Sequence, residues 1–305
     1  MIKAVIDIGS NSIKMRIANV NGGVVRVLRD ETEVVRLGRG MSSTGLLSPE
    51  NMKVSCDAVS RMVRRASAMG ANIFVAGTMA LRTAANAGDF VRMVREETGQ
   101  EVHVFSGLDE ARYSWLGAAD GLNVEGEAVM FDSGGGSTEF VLGSGSELKK
   151  AASVPIGAVN LSERFFTDKL NPIKKSACDE AIACVREMFA DNGIEEFCAP
   201  SVIGVGGGAV TMASVKNACE SFNPSRLHGS ILTQKDAVRQ IKMYASLTLA
   251  ERENVIGLPA SRADVILGSA CIILTALRFL KADSCVISIN GLRHGLLIHD
   301  SIMCS

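Results

Sequence analysis

One order of apolar and polar segments occurs twice along the chain. An apolar run (AVIDIG) leads into a small polar turn, a second run (IKMRIANV), a turn at Gly22 and Gly23, and a third run (VVRVL). The order returns 125 residues later as AVMFDSG, a small-residue turn, TEFVLG, a GSG turn and ELKKAAS. Such runs separated by glycine turns are typical of a β-meander. One meander used twice predicts two related domains facing each other across a cleft.

Helix and strand patterns alternate after each meander. In the first half, the pattern predicts a helix from about residue 48 to 68, a strand (ANIFVAGT), a helix after Thr78, a strand (EVHVF) and a helix after Ser106. The second half repeats this mixture. We therefore predict two α/β domains, 1–122 and 123–305, divided in a polar, glycine-containing stretch, with the final helix free to pack back on the first domain.

The turn inside each meander has the composition of a phosphate-binding loop. Glycines remove Cβ atoms, so backbone N–H groups can close around phosphate oxygens, and small polar side chains add donors. For a single copy, a plain glycine-rich hairpin turn is the preferred interpretation, but two copies in register reverse that preference in favour of phosphate binding. The candidate residues of the two turns are Ser10, Asn11, Ser12, Gly134, Gly135, Gly136, Ser137 and Thr138.

An aspartate ends the strand before each turn, Asp7 in the first copy and Asp132 in the second. Carboxylate oxygens suit Mg²⁺, which usually keeps several of its own waters. A hairpin also brings Glu139 back alongside Asp132 across the turn. The sequence therefore predicts a cation site at Asp132 and Glu139.

Two further charged residues follow strands of the first half. Ser106 and Asp109 have the spacing of a capping box, which places Glu110 in the first turn of a helix. There the helix dipole favours a carboxylate whatever its role, or Glu110 acts as a general base at the carboxyl end of a strand. Arg82 has the same placement, and it either binds phosphate in a bidentate manner or lies solvated on the helix surface.

A third glycine-rich segment, GVGGGAVTMAS, lies between a strand (SVIGV) and a helix, and its candidate phosphate contacts are Gly206, Gly207 and Gly208. It formally matches the dinucleotide fingerprint, but no acidic residue ends a strand about 20 residues later. The sequence also contains no Gly-Lys dipeptide, which excludes a P-loop NTPase.

The composition is that of an ordinary globular protein. The 305 residues are 47% hydrophobic with a formal net charge of −1, which argues against a nucleic-acid or membrane partner. The cysteines are scattered without a C-x-x-C pair and are expected to be reduced thiols. Because Met1 leads straight into a strand with no signal peptide, we expect a cytoplasmic location. The longest apolar stretch, 265–277, is shorter than the roughly 20 residues of a membrane span and predicts a buried helix.

The motifs described above belong to a series that points to one family. Along essentially its whole length the chain resembles the Ppx/GppA family of exopolyphosphatases and guanosine pentaphosphate phosphatases. The resemblance implies the actin-like ATPase (ribonuclease H-like) fold, two related α/β domains around a central cleft. The series is DIGSNS, GTMALR, SGLDEARYSWLG, FDSGGGSTEFVLG, PIGAVNLSERF, GVGGGAVTMA, LPASRADVILG and NGLRHGLL.

The resemblance also implies an activity and a set of roles. The activity is Mg²⁺-dependent removal of the terminal phosphate from inorganic polyphosphate or from pppGpp. Glu110 is expected to be the general base, Asp132 and Glu139 to bind the cation, and the DIGSNS, Arg82 and GGGST groups to hold phosphates. Because the chain stops soon after NGLRHGLL, it resembles the short form of the family. We expect an exopolyphosphatase, with pppGpp 5′-phosphohydrolase as the alternative.

The chain departs from the family pattern at Asp109, Gly208 and His294, where Glu, Thr and Glu respectively are common. None of these changes removes the expected base or a cation ligand, so they put substrate choice in doubt more than activity. Two other classes stay open: an ATP-using enzyme of the same fold, and a non-catalytic sensor that binds polyphosphate or an alarmone.

A long polyanion should need a basic track. The candidates for it are Arg36, Arg39, Arg262 and Arg293. The sequence does not choose between a monomer and a homodimer.

Overall fold

The computed structural model describes residues 1–122 and 124–299. The strands are β1 (Ile2–Ile8), β2 (Ser12–Asn21), β3 (Val24–Val34), β4 (Asn72–Gly77), β5 (Val102–Val104), β6 (Glu127–Ser133), β7 (Thr138–Ser144), β8 (Glu147–Val154), β9 (Ser201–Val205), β10 (Ile231–Thr233) and β11 (Ser284–Ile287). The helices are α1 (Met41–Thr44), α2 (Pro49–Ala68), α3 (Met79–Thr83), α4 (Ala87–Thr98), α5 (Gly107–Ala119), α6 (Ala158–Phe165), α7 (Lys175–Asp191), α8 (Gly206–Lys216), α9 (Pro224–Leu227), α10 (Gln234–Ser246), α11 (Leu249–Arg252), α12 (Ile266–Phe279) and α13 (Leu292–Ile298).

The chain divides into two compact units. The first contains Met1–Gly117 and the described residues from Asn290 onward, and the second is Ala118–Ile289. The division therefore falls a few residues before the predicted boundary at 122, and α13 belongs to the first unit.

The first unit is built on a five-stranded sheet with the order β3-β2-β1-β4-β5. β1 pairs antiparallel with β2 and parallel with β4. The run of apolar residues in β1 is continuous because both faces of this strand are covered. Ile6 and Ile8 pack into a core shared with α2 and α4, whereas Val5, on the opposite face, packs with Leu296 of α13.

The helix predicted near residues 48–68 is α2. Ser48 caps it by accepting a hydrogen bond from the backbone N–H of Asn51 at 3.2 Å. Its predicted apolar positions, Val59 and Met62 among them, are buried. The single helix predicted after Thr78 is instead two helices, α3 and α4. The prolonged apolar pattern did not reveal the break, which lies at the extended backbone of Ala84.

The second unit is built on a six-stranded sheet with the order β10-β11-β9-β6-β7-β8. β6 pairs antiparallel with β7 and parallel with β9, and β9 in turn pairs parallel with β11. The predicted buried apolar helix is α12, whose residues from Ile266 to Leu277 are all buried. Within residues 1–122 and 124–299, no helix combines the length and apolar character that a membrane crossing requires.

The two sheets repeat one plan in detail. β6, β7, β8, β9 and β11 stand in the same order and direction as the strands of the first sheet. The register shift between Ile17 and Ala18 of β2 returns between Leu142 and Gly143 of β7, again 125 residues on. The expected actin-like ATPase (ribonuclease H-like) α/β fold is therefore the observed one.

Candidate active site

The carboxyl ends of three parallel strands form one edge of the first sheet. Segments that follow β1, β4 and β5 meet there, as is usual for ligand sites of α/β sheets. The backbone joins them directly. Thr78 N–H donates to the Ile8 carbonyl at 3.2 Å, and Phe105 N–H donates to the Gly77 carbonyl at 2.9 Å. The turn after β1, Arg82 and Glu110 therefore belong to one local site.

The turn after β1 is tight and its side chains are buried. Gly9 N–H donates to the Ser12 carbonyl at 3.1 Å, which closes the turn. The predicted phosphate-binding residues Ser10, Asn11 and Ser12 are all under a tenth exposed. Ser10 Oγ lies 3.8 Å from the sulfur of Met79, so its hydroxyl reaches toward α3.

Arg82 and Glu110 form an ion pair. Arg82 Nη1 lies 3.1 Å from Glu110 Oε2 and also donates to the Phe105 carbonyl at 2.9 Å. The two side chains are 23% and 14% exposed, so Arg82 is not a freely solvated surface arginine. Both side-chain hydrogen bonds of Arg82 use Nη1. Within residues 1–122 and 124–299 no hydrogen bond engages its Nη2 or Nε, so these two groups are available to a ligand.

The amino terminus of α5 is capped by two residues close to Glu110, Ser106 and Asp109. Asp109 N–H donates to Ser106 Oγ at 3.1 Å, and Ser106 Oγ donates to Asp109 Oδ2 at 2.6 Å. Capping therefore accounts for Asp109, whereas the Glu110 side chain contacts Arg82.

Asp7 is a buried carboxylate at the same edge. Burial raises the pKa of the Asp7 carboxyl against the opposing effect of Lys14 and Arg293. Among the described residues, Asp7 Oδ1 and Asn11 Oδ1 have no hydrogen-bond partner. Two buried acceptors require a donor or a cation, since unpaired buried polar atoms are costly.

In the second unit, Asp132 of β6 stands directly opposite Glu139 of β7. Residues opposite each other in an antiparallel pair point to the same face, so the two carboxylates are neighbours, as the hairpin argument predicts. Glu139 is 1% exposed and accepts a hydrogen bond from Ser153 Oγ at 2.8 Å. In the first copy the equivalent pair is Asp7 and Lys14. Only the second copy therefore joins two acidic side chains.

This pair fits a Mg²⁺ ion in the chemistry of its donors. Two adjacent carboxylates repel each other unless a proton or a cation neutralises them. No group of three or more His, Cys, Asp or Glu residues suited to a metal occurs in the part of the chain that the structure describes. A cation here would therefore rely on Asp132, Glu139, its own waters and a bound phosphate, which is the usual Mg²⁺ arrangement.

The second turn repeats the first. Gly134 N–H donates to the Ser137 carbonyl at 2.9 Å, the counterpart of the bond between Gly9 and Ser12. Ser137 and Thr138 are buried, and Thr138 Oγ1 donates to the Ile156 carbonyl at 2.7 Å. Because a hydroxyl has one donor, this bond commits the Thr138 side chain to holding the chain after β8 on the turn.

The third glycine segment is the first turn of a helix rather than a separate loop, since α8 begins at Gly206 directly after β9. Gly206 has φ +94°, and a Cβ on it would lie 2.8 Å from Asp132 Oδ1. The amino terminus of α8 therefore faces the Asp132 carboxylate, and its dipole favours negative charge there. A Cβ on Gly208 would lie 2.6 Å from Ser269 Cβ, so close packing against α12 explains glycine at this position.

Arg262 packs against the same helix start. A Cβ on Gly207 would collide with its guanidinium. Burial lowers the pKa of Arg262, and no acidic residue contributes to that shift. Among the described residues, no hydrogen bond or ion pair engages its side chain. A half-buried guanidinium beside a helix amino terminus is suited to an anion.

Some of these contacts had no signal in the sequence. The Asp7 and Lys14 pair could have been found by applying the 125-residue offset. Extending the β7 register through the GSG turn would have placed Ala152 opposite Glu139, because the bulge between Leu142 and Gly143 shifts the pairing to Ser153. Packing of Arg262 on Gly207 joins segments far apart in sequence and follows no local pattern.

Residues 16–302 match the model of the Ppx/GppA phosphatase family, and the chain belongs to this family. It is 28% identical over 97% of its length to a bifunctional 3-dehydroquinate synthase/phosphatase of Fusobacterium nucleatum, covering 46% of that protein. It is 29% identical over 96% of its length to a guanosine-5′-triphosphate,3′-diphosphate pyrophosphatase of Photobacterium profundum, covering 58% of it. The chain thus spans about half the length of these curated relatives.

Solved structures match over nearly all of both chains. A Ppx/GppA family member of Aquifex aeolicus superposes with a TM-score of 0.79 at 29% identity, covering 98% of this chain and 96% of that one. An exopolyphosphatase-like protein superposes with a TM-score of 0.91 at 26% identity, covering 100% of both chains.

Proposed function

We propose that this protein is a Mg²⁺-dependent phosphohydrolase that releases the terminal phosphate of inorganic polyphosphate, with pppGpp as the second candidate substrate. The observation that carries the proposal is the pair of carboxylates, Asp132 opposite Glu139, at the edge of a glycine turn and beside the amino terminus of α8. Family membership supports the reaction class.

The chemical step is attack of water on the terminal phosphorus atom. Glu110 accepts a proton from the water, a bond forms between the water oxygen and phosphorus, and the bond to the bridging oxygen breaks. The electron pair of that bond leaves with the shortened phosphate chain. Arg82 holds the Glu110 carboxylate in place through Nη1.

Charge neutralisation supplies most of the acceleration in phosphoryl transfer. In the first unit, the amide groups of the turn after β1 would donate to phosphate oxygens. In the second unit, the amide groups of the turn after β6 and of the first turn of α8 would do the same, and the Arg262 guanidinium adds a positive charge there. Asp132 and Glu139 would hold Mg²⁺, which when bound neutralises developing negative charge on phosphate oxygens.

The named activities of the relatives favour two substrates. One relative is named as a guanosine-5′-triphosphate,3′-diphosphate pyrophosphatase. One of the similar solved structures is described as an exopolyphosphatase-like protein. The test is phosphate release, with Mg²⁺, from long-chain polyphosphate, pppGpp and ATP at equal concentrations of terminal phosphate. We expect polyphosphate to give the highest kcat/KM. Release from pppGpp alone would make the second candidate the function, and release from ATP alone would indicate an ATP-using enzyme. Tight binding of polyphosphate or pppGpp without any release would indicate a sensor.

A further inference from the structure

The hydroxyl of Ser10 has a poor hydrogen-bond partner. Ser10 lies in the turn after β1 and is 6% exposed. Its Oγ donates to the sulfur of Met79 at 3.8 Å, and within residues 1–122 and 124–299 no other hydrogen bond engages this hydroxyl. A thioether sulfur is only a weak acceptor. A buried donor of the candidate phosphate turn is therefore poorly satisfied, and a phosphate oxygen would be a stronger acceptor for it.

The chemistry of the Met79 sulfur therefore bears directly on this donor. Met79 is the first residue of α3 and is half-buried rather than enclosed in the core. Thr83 Oγ1 lies 3.7 Å from the same sulfur, but its shorter bond, at 2.8 Å, is to the Met79 carbonyl. Among the methionines that the structure describes, no other sulfur accepts a hydrogen bond. A change at this one sulfur would alter the partner that the Ser10 hydroxyl finds in the protein.

The duplicated fold does not require this contact. The 125-residue offset makes Gly135 the counterpart of Ser10. The pairing of β1 with β4 and of β6 with β9 makes Gly208 the counterpart of Met79. Because neither glycine has a side chain, the turn and the helix of the second unit pack together without a contact of this kind. The sulfur beside the turn is thus a property of the first unit and not a demand of its scaffold.

We propose that Met79 is a modification site, at which oxidation of the thioether to the sulfoxide by hydrogen peroxide weakens phosphate binding at the turn after β1. The sulfur lone pair attacks one peroxide oxygen, the S–O bond forms and the O–O bond breaks. The proton of the transferred oxygen passes to the departing hydroxide, so the sulfur is oxidised and the peroxide is reduced to water.

The sulfoxide changes the competition for the Ser10 hydrogen. Its oxygen is a strong acceptor beside Ser10 Oγ, whereas the thioether is a weak one. A serine hydroxyl has a single hydrogen to donate, so the sulfoxide oxygen and a phosphate oxygen exclude each other as partners. The inference rests on the proposed function for its ligand, a phosphate group.

The test is binding of inorganic tripolyphosphate before and after peroxide treatment, measured by calorimetry with Mg²⁺ in an E110Q background that prevents turnover. Dithiothreitol follows the peroxide, because it restores disulfides and sulfenic acids to thiols but leaves methionine sulfoxide in place. Peptide mass spectrometry gives the fraction of Met79 that is oxidised. We expect binding to weaken at least about tenfold, the loss expected for one hydrogen bond to a charged group. Methionine sulfoxide reductases should restore it.

Three variants locate the effect. Met79→Leu removes the sulfur at nearly constant volume, so its binding should no longer respond to peroxide. Met93→Leu is the matched control, since Met93 is a half-buried methionine of α4 in the same unit, and its response should equal that of the parent. Ser10→Ala should bind tripolyphosphate more weakly from the start, and oxidation should weaken it by no more than about a further twofold, because the donor is already absent.

Three results would overturn the proposal. The first is full oxidation of Met79 with unchanged affinity. The second is an equal response of Met79→Leu and the parent to peroxide. The third is a Met79 that stays reduced under conditions that oxidise Met93.

Phosphate release from long-chain polyphosphate separates this inference from the proposed function. If the wild type releases phosphate and oxidation of Met79 leaves KM unchanged, the modification site fails and the function stands. If the wild type releases none while oxidation still weakens tripolyphosphate binding, the function fails and the modification site stands. If the parent binds no tripolyphosphate, the inference fails whatever the release assay shows.

Discussion

Asp132 lies directly across the antiparallel ladder from Glu139, and 125 residues earlier the corresponding position opposite Asp7 is held by Lys14. The two meanders thus share the same strand pairing, but the residue opposite the aspartate differs in charge. Lys14 places a positive charge opposite the first aspartate and opposes the rise of its pKa, whereas Glu139 adds a second negative charge beside Asp132. The two copies have therefore diverged in electrostatics, and a cation is expected at the second.

Asp132→Asn should raise the Mg²⁺ concentration required for half-maximal phosphate release at least about tenfold, because one of two carboxylate ligands is lost. The measurement is a Mg²⁺ titration at saturating polyphosphate. Glu127→Gln is the control, since Glu127 lies at the other end of β6 and pairs with Lys149 at the surface. An unchanged Mg²⁺ requirement in Asp132→Asn would remove this residue from the cation site.

Gly208 and Ser269 should be energetically coupled. A Cβ at 208 would lie 2.6 Å from Ser269 Cβ and 2.7 Å from its hydroxyl, so Gly208→Ala should destabilise the protein by about 1–3 kcal/mol through overpacking. Ser269→Gly removes the opposing atoms. In urea unfolding, the double variant should be more stable than the sum of the two single changes predicts. Simple additivity would show that the packing relaxes without cost.

A charge network that is buried at Arg16 and His294 attaches α13 to the first sheet. Arg16 Nε donates to Asp30 Oδ2 at 2.8 Å, Arg293 Nη1 donates to Asp30 Oδ1 at 2.6 Å, and Arg16 Nη1 donates to Asn290 Oδ1 at 2.9 Å. Arg16 Nη1 also lies 3.2 Å from His294 Nδ1, which must therefore accept. The departure from the family at His294 thus faces this network rather than the phosphate turn.

Asp30→Asn should destabilise the protein at pH 7 by about 2–3 kcal/mol, because Arg16 loses its carboxylate partner while it stays buried. Burial alone would raise the pKa of Asp30, but Arg293 and Arg16 outweigh it and the pKa is lowered. A lowered pKa in the folded state gives stability that is present above the unfolded pKa of about 3.9 and is lost as the pH falls through the folded pKa.

Urea unfolding across a pH series tests this prediction. The difference in free energy of unfolding between the wild type and Asp30→Asn should be constant from pH 5 to pH 8. This difference should become smaller below about pH 4. Glu33→Gln, which breaks the more exposed pair with Arg61, should cost no more than about 1 kcal/mol at any pH. If the difference in free energy of unfolding between the wild type and Asp30→Asn does not change with pH, the charge of the Asp30 carboxylate contributes nothing to stability.

The repeated pattern predicted the duplicated meanders, because apolar alternation and glycine turns are local signals that tertiary structure did not override. The opposition of Asp132 and Glu139 followed from the same local geometry. Helix ends were less predictable, as the break between α3 and α4 shows. Its cause is a change of backbone conformation at Ala84, which the apolar pattern does not record.

Contacts between distant segments could not be predicted. Nothing near Arg82 in the sequence indicates that it pairs with Glu110, because the contact depends on the parallel pairing of β4 and β5. The close approach of Arg262 to Gly207 depends likewise on how the chain before α12 returns to α8. Glycine at 208 was interpreted as a change in a phosphate loop, whereas its packing partner Ser269 lies far along the chain.

The steady-state rate of phosphate release from long-chain polyphosphate, compared between the wild type, Glu110→Gln and Asp109→Asn, tests the hydrolytic role of the Arg82 and Glu110 pair. Asp109 is the adjacent carboxylate and serves the helix cap, so Asp109→Asn should keep kcat within about threefold. Glu110→Gln should lower kcat by about 10²–10⁴, the usual contribution of a general base, with KM little changed. Full turnover by Glu110→Gln would contradict the assignment of Glu110 as the base.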